Sequence, residues 1–215
     1  MTYSVKEMYL TIQGEGGQTG LPAVFLRFAG CNLWSGLERD RTSAVCKFCD
    51  TDFVGTDGPN GGKFKTAKTL VEAISKHWPD GKLNRWVVAT GGEPLLQLDD
   101  ALIKALHASG YKIAVESNGT IKAPNGIDWL CISPKAGAKI IQKSGQELKL
   151  VFPQDENEPA DFEHMAFERF SLQPKDESLF APEKNAAHIK AAVDFCLNNP
   201  KWCLSLQTHK MIGID

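Results

Sequence analysis

The feature that most limits the fold of this chain is a series of short runs that are apolar at nearly every position. Seven such runs predict β-strands at residues 22–28, 86–90, 111–116, 129–133, 148–152, 169–173 and 202–207. Strands covered on both faces have this composition, whereas strands of a sheet with one solvent-exposed face alternate apolar and polar residues. The pattern therefore favours a sheet buried between other layers.

Helical patterns lie between several of these strands. Residues 66–78, 99–109 and 183–197 repeat apolar side chains at helical spacing, with Asp99 as a plausible N-cap and Gly110 as a C-terminal stop. The connections 117–128 and 134–147 are too irregular for good helices. Alternation of strand and helix predicts a parallel α/β fold, a barrel or a sheet, that lacks some of its usual helices.

Six of the predicted strands end in small, polar or charged clusters. These are the loop that starts at Cys31, Gly91-Gly92-Glu93-Pro94, Glu116-Ser117-Asn118-Gly119, Ser133-Pro134-Lys135, Gln173-Pro174-Lys175 and Gln207-Thr208-His209-Lys210. A single cluster of this kind is usually only a turn. Because the carboxyl ends of parallel strands share one rim, where ligands bind, six together predict the site there.

Composition excludes several classes of protein. The 215 residues suffice for one domain, and a net charge of −2 gives no broad basic field for nucleic acid. Every apolar run is too short for a bilayer, and the start MTYSVKEMYL lacks the apolar core of a signal peptide. We therefore expect a single domain over residues 1–215, a cytoplasmic location with reduced thiols, and no nucleic-acid or membrane partner.

Three of the six cysteines stand close together in a polar stretch, in the pattern C-x14-C-x2-C. The other three lie in apolar or helical patterns and are expected to be small buried residues: Cys131, Cys196 and Cys203. A structural zinc site would need a fourth ligand, for which Asp50 or Asp52 is available. A simple electron-carrying iron–sulfur protein would normally use four cysteines, whereas a [4Fe–4S] cluster on three leaves one iron open to a substrate.

The cysteine loop, Phe48 before its last cysteine and the glycine pair after the next strand together resemble the radical S-adenosylmethionine (SAM) superfamily. That superfamily usually has C-x3-C-x2-C, so the first gap here is longer by 14 − 3 = 11 residues. The whole set resembles the 7-carboxy-7-deazaguanine synthase family, some members of which carry an expanded loop. The matching stretches run from end to end of the chain, at residues 11–16, 27–34, 49–52, 90–94, 116–119, 133–135 and 207–210.

The resemblance implies a fold and an activity. The fold is a partial, helix-poor (β/α)6-type radical SAM barrel with parallel strands and a cluster-binding loop at about residues 31–49. The enzyme is a radical SAM lyase that contracts the ring of 6-carboxy-5,6,7,8-tetrahydropterin to 7-carboxy-7-deazaguanine and releases ammonia, in queuosine biosynthesis. Its cofactors are a [4Fe–4S] cluster, SAM and Mg²⁺. Its partners are the pterin substrate, an electron donor such as flavodoxin and, given exposed sheet edges, a second copy in a homodimer.

The same resemblance assigns binding residues, with the reacting radical supplied by the cofactor and no catalytic side chain. The cluster ligands are Cys31, Cys46 and Cys49, and Thr51 binds Mg²⁺. The SAM-binding residues are Phe48, Cys49, Asp50, Gly92, Glu116, Ser133, Pro134, Lys135, Gln173, Pro174, Lys175 and Asp176. The substrate-binding residues are Ile12, Gln13, Gly14, Glu15, Arg27, Thr90, His209 and Asp215.

Two alternatives remain open at this point. Another radical SAM enzyme, such as an activase that makes a glycyl radical on a partner protein, would share the cysteine-rich and glycine-rich stretches but would consume SAM. A zinc-binding structural module would hold one zinc in place of about four irons. Residues 35–45 could form a helix over the cluster or a mobile loop.

Overall fold

The computed structural model describes residues 2–79, 81, 83–178 and 181–214, and its centre is one nine-stranded sheet. The strands are β1 (Tyr3–Ile12), β2 (Pro22–Phe28), β3 (Gly62–Phe64), β4 (Arg85–Gly91), β5 (Tyr111–Ser117), β6 (Trp129–Ile132), β7 (Ser144–Phe152), β8 (Ala166–Pro174) and β9 (Trp202–Leu204). Their order across the sheet is β3-β1-β2-β4-β5-β6-β7-β8-β9. All seven predicted strands are present.

The seven predicted strands run parallel to one another. At one edge, β1 pairs antiparallel with β2, and β3 pairs antiparallel with β1. These two strands were not predicted, because β1 mixes polar with apolar residues and β3 has only three residues. The register pairs Arg27 with Thr90 and Phe28 with Gly91, so the carboxyl ends of β2 and β4 meet at one rim. The α/β fold with a mostly parallel sheet is confirmed.

Four α-helices accompany the sheet: α1 (Ala67–Ser75), α2 (Asp100–Ala108), α3 (Asn185–Asn198) and α4 (Thr208–Ile212). The first three match the predicted helices with slightly different ends. Asp99 is the N-cap of α2, and its carboxylate accepts a 2.9 Å bond from the Leu102 amide. Helix α4 was not predicted. The connections 117–128 and 134–147 contain no helix, as expected. None of the helices in the described ranges combines the length and apolar composition that crossing a bilayer requires.

The two faces of the sheet bury different sets of side chains, because successive residues of a strand point in opposite directions. Val87 and Ala89 of β4 join the main core with helices α1, α2 and α3. Val88 points the other way and packs with Ala23 and Ala114 in a small second cluster. We call the face on which Val88 lies the inner face of the sheet. Its apolar cluster is small, which leaves room there for polar side chains nearer the rim.

The sheet stays open, since β3 and β9 are its two edges in the described part of the chain. The segment after β1 lies across the opening. The Gly17 amide donates to both oxygens of Glu147 on β7 at 3.0 Å, and the Gly16 amide donates to the Ser205 hydroxyl at 2.8 Å. The Gly14 carbonyl accepts a 2.9 Å bond from the Thr208 amide at the start of α4. Residues 14–17 therefore reach the far side of the sheet without forming a strand.

The long insertion between the first two loop cysteines is folded against the rest of the loop. Residues Glu38–Ser43 form a 3₁₀ helix within the segment 35–45. Arg41 stacks 4.1 Å above the Trp34 ring, and its guanidinium donates to the carbonyls of Lys47 and Cys49 at 2.9 and 3.1 Å. The insertion therefore holds the backbone on both sides of Phe48.

Candidate active site

Two adjoining cavities lie over the inner face of the sheet, with volumes of about 650 and about 210 Å³. Six residues line both cavities: Glu15, Asp50, Thr51, Thr90, Glu116 and Gln207. Because these side chains form the boundary, a molecule in one cavity would lie against a molecule in the other. That arrangement suits a reaction between two bound small molecules.

The smaller cavity gathers the residues predicted to bind SAM. It is lined by Phe48, Cys49, Asp50, Gly92, Glu116, Ser133, Lys135, Gln173, Pro174, Lys175 and Asp176. Pro134 is the exception among the predicted set, and its carbonyl lies 3.4 Å from the Gln154 amide nitrogen instead. The Lys135 ammonium donates to the Ser133 hydroxyl at 2.6 Å, so two of the lining side chains orient each other.

The larger cavity gathers the residues predicted to contact the substrate. It is lined by Ile12, Gln13, Gly14, Glu15, Arg27, Thr90 and His209. Asp215, the remaining predicted contact, lies outside the described residues. Gln13 and Glu15 reach the cavity on the segment that crosses the open sheet, and not from a strand end at the rim.

Arg27 is already engaged by two side chains of β1. Its Nε donates to a Glu7 carboxylate oxygen at 2.7 Å, and its Nη2 lies 3.5 Å from the Tyr9 hydroxyl. Burial would lower the pKa of Arg27, but the bond to Glu7 raises it, so the guanidinium stays charged. The remaining N–H groups of this fixed cation are the ones available to an anion in the cavity.

His209 lies directly against Gly14. A Cβ added to Gly14 would fall 2.2 Å from the His209 Nδ1, so only glycine allows the imidazole this position. Two further bonds hold the same contact, from the amide and the hydroxyl of Thr208 to the Gly14 carbonyl, both at 2.9 Å. The structure thus explains the presence of glycine in a stretch predicted to bind the substrate.

Cys46 and Cys49 line the smaller cavity, and Cys31 lies next to another of its lining residues, Gly92. A hydrogen bond from the Cys46 thiol lowers the pKa of Cys49 to about 6, and the same bond raises the pKa of Cys46. Burial raises the pKa of Cys31, whose sulfur accepts a 3.4 Å bond from the Leu33 amide. In the described residues, no three His, Cys, Asp or Glu side chains converge on a single point as ligands of one metal ion would. A four-iron cluster makes a different demand, because its three cysteines bind separate irons.

Gly91 and Gly92 bring backbone against the start of the cysteine loop. An added Cβ would lie 2.2 Å from the Phe28 carbonyl oxygen at Gly91 and 2.1 Å from the Gly30 carbonyl oxygen at Gly92. A Cβ added at Gly92 would also lie 2.7 Å from the Cys31 Cβ. The glycine pair therefore lets β4 and the cysteine loop pack together at the edge of the cavity.

Glu93 connects two of the predicted polar clusters at the rim through hydrogen bonds. Its buried carboxylate accepts bonds from the Ser117 hydroxyl at 2.9 Å, the Asn118 amide at 2.8 Å and the Leu95 amide at 2.9 Å. Burial raises the pKa of Glu93 despite these donors. Glu93 faces the protein and not the cavity, so it joins the ends of β4 and β5 and is not among the cavity-lining residues.

Thr51 lies between two aspartates that are each paired with a lysine. The Lys210 ammonium of α4 lies 3.1 Å from Asp50, and the Lys6 ammonium of β1 lies 2.8 Å from Asp52. Both chain ends therefore hold the short segment that carries Thr51, which lines both cavities.

Sequence reasoning missed Lys149, which lines the smaller cavity and contacts two residues that line both cavities. Its ammonium is 2.7 Å from a Glu15 oxygen and 3.0 Å from a Glu116 oxygen, and its side chain is 5% exposed. The available signal was a charged residue between Leu148 and Leu150, inside a strand that was otherwise apolar. A buried lysine of this kind needs acidic partners, which the sequence does not identify.

The cysteines outside the loop partly match their prediction. Cys131 is fully buried on β6, and burial raises the pKa of its thiol well above the usual value. Cys196 and Cys203 are only half-buried, so the prediction of burial is wrong for both. They lie on α3 and β9, at the outer edge of the sheet, where fewer layers cover them.

The comparisons with known proteins agree with this architecture. No model of a protein family matches the chain. A 7-carboxy-7-deazaguanine synthase of Caulobacter vibrioides is 62% identical and those of Bradyrhizobium diazoefficiens and Burkholderia multivorans are 58% and 55% identical, each over the full length of both chains. The crystal structure of QueE from Escherichia coli has the same fold, with a TM-score of 0.68, 22% identity and coverage of 96% of this chain and 94% of that one.

An open, mostly parallel sheet with two adjoining cavities at one rim places the chain in the class of α/β enzymes that bind their ligands at the carboxyl ends of parallel strands. Within that class, the full-length identities place the chain in the 7-carboxy-7-deazaguanine synthase family. The family predicted from the ordered motifs is thereby confirmed.

Proposed function

We propose that this enzyme contracts 6-carboxy-5,6,7,8-tetrahydropterin to 7-carboxy-7-deazaguanine with loss of ammonia, as the family name indicates. The observation that supports this most directly is the shared boundary of the two cavities. One holds the residues predicted for SAM, and the other holds a fixed guanidinium and an ionised carboxylate. A pterin acid presents the complementary groups, a carboxylate and an aminopyrimidinone edge with N–H donors.

Cys31, Cys46 and Cys49 would hold the cluster, and SAM would occupy the smaller cavity. Two features of the chain fit this assignment: three thiols beside one cavity, and Gly92 packed against Cys31 with no space for a side chain. When bound, the cluster and SAM supply a 5′-deoxyadenosyl radical. The protein orients SAM through Ser133, Lys135, Gln173 and neighbouring backbone, and the folded insertion covers the loop.

Glu15 and Arg27 would orient the substrate in the larger cavity. Burial alone would raise the pKa of Glu15, but the charge and hydrogen bond of Lys149 and a 2.9 Å bond from Gln207 lower it to about 2. Glu15 is therefore an acceptor for N–H groups throughout the neutral range. Arg27, held by Glu7, would pair with the substrate carboxylate.

Four further properties are part of the proposal. Six free cysteines suit a reducing cytoplasm. Exposed apolar side chains on α4, Met211 and Ile212, suit a homodimer contact. A single nine-stranded sheet suits one domain over residues 1–215. An electron donor such as flavodoxin would reduce the cluster.

The product of the purified enzyme tests the proposed function. Anaerobically reconstituted protein is incubated with dithionite, SAM, Mg²⁺ and the tetrahydropterin acid, and the products are identified by mass spectrometry. We expect 7-carboxy-7-deazaguanine with most SAM recovered. Cleavage of SAM without that product would contradict the substrate assignment and favour another radical SAM activity. A chain with one zinc and no iron would contradict the class of enzyme.

Thr51 is the proposed Mg²⁺ ligand, because it lines both cavities and a Mg²⁺ site needs few protein ligands when water and substrate oxygens complete it. Thr51→Ala is expected to raise the Mg²⁺ concentration for half-maximal activity by at least about tenfold. Thr51→Ser keeps the hydroxyl and should stay near wild type. The measurement is product formation as a function of Mg²⁺ concentration, and equal requirements in all three proteins would remove Thr51 from the site.

A further inference from the structure

Lys149 belongs to a closed ring of hydrogen bonds that joins the two cavities. The Lys149 ammonium bonds Glu15 Oε2 at 2.7 Å and Glu116 Oε2 at 3.0 Å. The Gln13 side-chain nitrogen donates to Glu116 Oε1 at 3.2 Å, and the Gln13 side-chain oxygen accepts from the Glu15 amide at 3.2 Å. We call these four residues, Gln13, Glu15, Lys149 and Glu116, the Lys149 ring.

The Lys149 ring is assembled from three separate parts of the fold. Gln13 and Glu15 come from the segment that crosses the open sheet, Glu116 from the end of β5, and Lys149 from the middle of β7. Each of the four carboxylate oxygens has a partner, since Gln207 donates to the remaining oxygen of Glu15 at 2.9 Å. The ring therefore fixes the orientation of both carboxylates before any ligand is bound.

Charge balance in the ring depends on Lys149. Two half-buried carboxylates share this one ammonium, and Glu147 on β7 and the Cys131 thiol on β6 also face Glu116. His209 faces Glu15 from α4. Burial and the charges of Glu15 and Glu147 raise the pKa of Glu116. Burial also acts to raise the pKa of Glu15, but Lys149, Gln207 and His209 together lower it, so Glu15 stays ionised. Without the ammonium, the two carboxylates would repel each other in a poorly solvated space.

We propose that Lys149 is a positioning residue shared by both cavities, which holds Glu15 toward the substrate and Glu116 toward SAM through the hydrogen-bonded ring. This inference rests on the proposed function, because it assigns the pterin substrate to Glu15 and SAM to Glu116. Its consequence is that one substitution, at Lys149, affects the binding of both ligands. By contrast, a residue such as Arg27, which lines only the larger cavity, serves one ligand.

The test uses reconstituted protein with an oxidised cluster, in which SAM is bound but not cleaved. Equilibrium dialysis measures the affinity for SAM alone and for the tetrahydropterin acid alone, in wild type and in Lys149→Met. We expect both affinities to fall by about tenfold or more. Arg27→Met should weaken the pterin alone, and Lys190→Met, which removes an exposed lysine on α3, should change neither.

The pH dependence separates a lost charge from lost packing. In Lys149→Met the ammonium that lowers the pKa of Glu15 is gone, so Glu15 and Glu116 share one proton as the pH falls and Glu15 is partly protonated. Pterin affinity of the variant should therefore rise with pH between about pH 6 and pH 8. The wild type should show no such rise, since the pKa of Glu15 is about 2. Adding Glu116→Gln to the variant removes the repulsion and should abolish the pH dependence.

Three results would overturn the proposal. These are affinities within twofold of wild type in Lys149→Met, loss of one ligand only, or a pH-independent loss together with a lower melting temperature. If the methionine variant does not fold, Lys149→Arg is measured in its place. Arginine keeps the positive charge, but its larger head group displaces one of the carboxylates. Unchanged affinities in Lys149→Arg would contradict the role of the Lys149 ring. A wild type that binds both ligands but forms no 7-carboxy-7-deazaguanine would contradict the proposed function and leave the ring intact.

Discussion

Cys31→Ala is expected to abolish iron binding and product formation. Cys46 and Cys49 line the smaller cavity, and Cys31 lies against Gly92 at its edge. Each thiol would hold a different iron, so no neighbour can replace a missing one. Cys46→Ala and Cys49→Ala should give the same result. The fold should survive all three changes, because the loop lies at the rim and the main core is built elsewhere.

Iron content per chain and product yield after anaerobic reconstitution are the measurements, with circular dichroism as a check of the fold. Cys203→Ala is the matched control, since this half-buried thiol lies on β9 and away from the loop. It should keep the iron content and yield of the wild type. Full iron content and activity in any one of the three loop variants would show that the cluster is held in another way.

Gly92→Ala is expected to reduce product formation by at least about a hundredfold, because displacements of about 1 Å at a reacting centre cost that much. The added methyl carbon would lie 2.1 Å from the Gly30 carbonyl oxygen and 2.7 Å from the Cys31 Cβ. Neither atom belongs to a flexible side-chain end, so β4 and the cysteine loop must move apart. The overpacking should also lower the free energy of unfolding by about 1–3 kcal/mol.

Gly110→Ala separates this effect from the general cost of replacing a glycine. Gly110 has φ +80° and no atom within 4 Å of an added Cβ, so alanine there brings backbone strain without a clash. It should lower stability by about 1 kcal/mol and leave product formation unchanged. Product yield and urea denaturation of both variants are the measurements, and near-normal activity of Gly92→Ala would show that the loop can move without harm to the site.

Local sequence patterns predicted much of this fold. The continuous apolar strands, Asp99 as an N-cap and the irregular connections follow from local sequence, and the structure confirms each of them. The strand β1 escaped prediction because its mixed sequence, YSVKEMYLTI, resembles neither a buried run nor a clean alternation. Helix α4 was not predicted, because five residues are too few to show a helical period.

The sequence by itself determined the family, the parallel sheet and most of the residues around the two cavities, because motifs at strand ends are local and strand ends share a rim. Only the tertiary structure decided which of these residues touch. Glu93 faces inward to bind Ser117, and Lys149 joins Glu15 to Glu116 across separations of 134 and 33 residues. A buried charge must find its partner in space, and the chain order carries no record of which distant acid will lie within 3 Å of it.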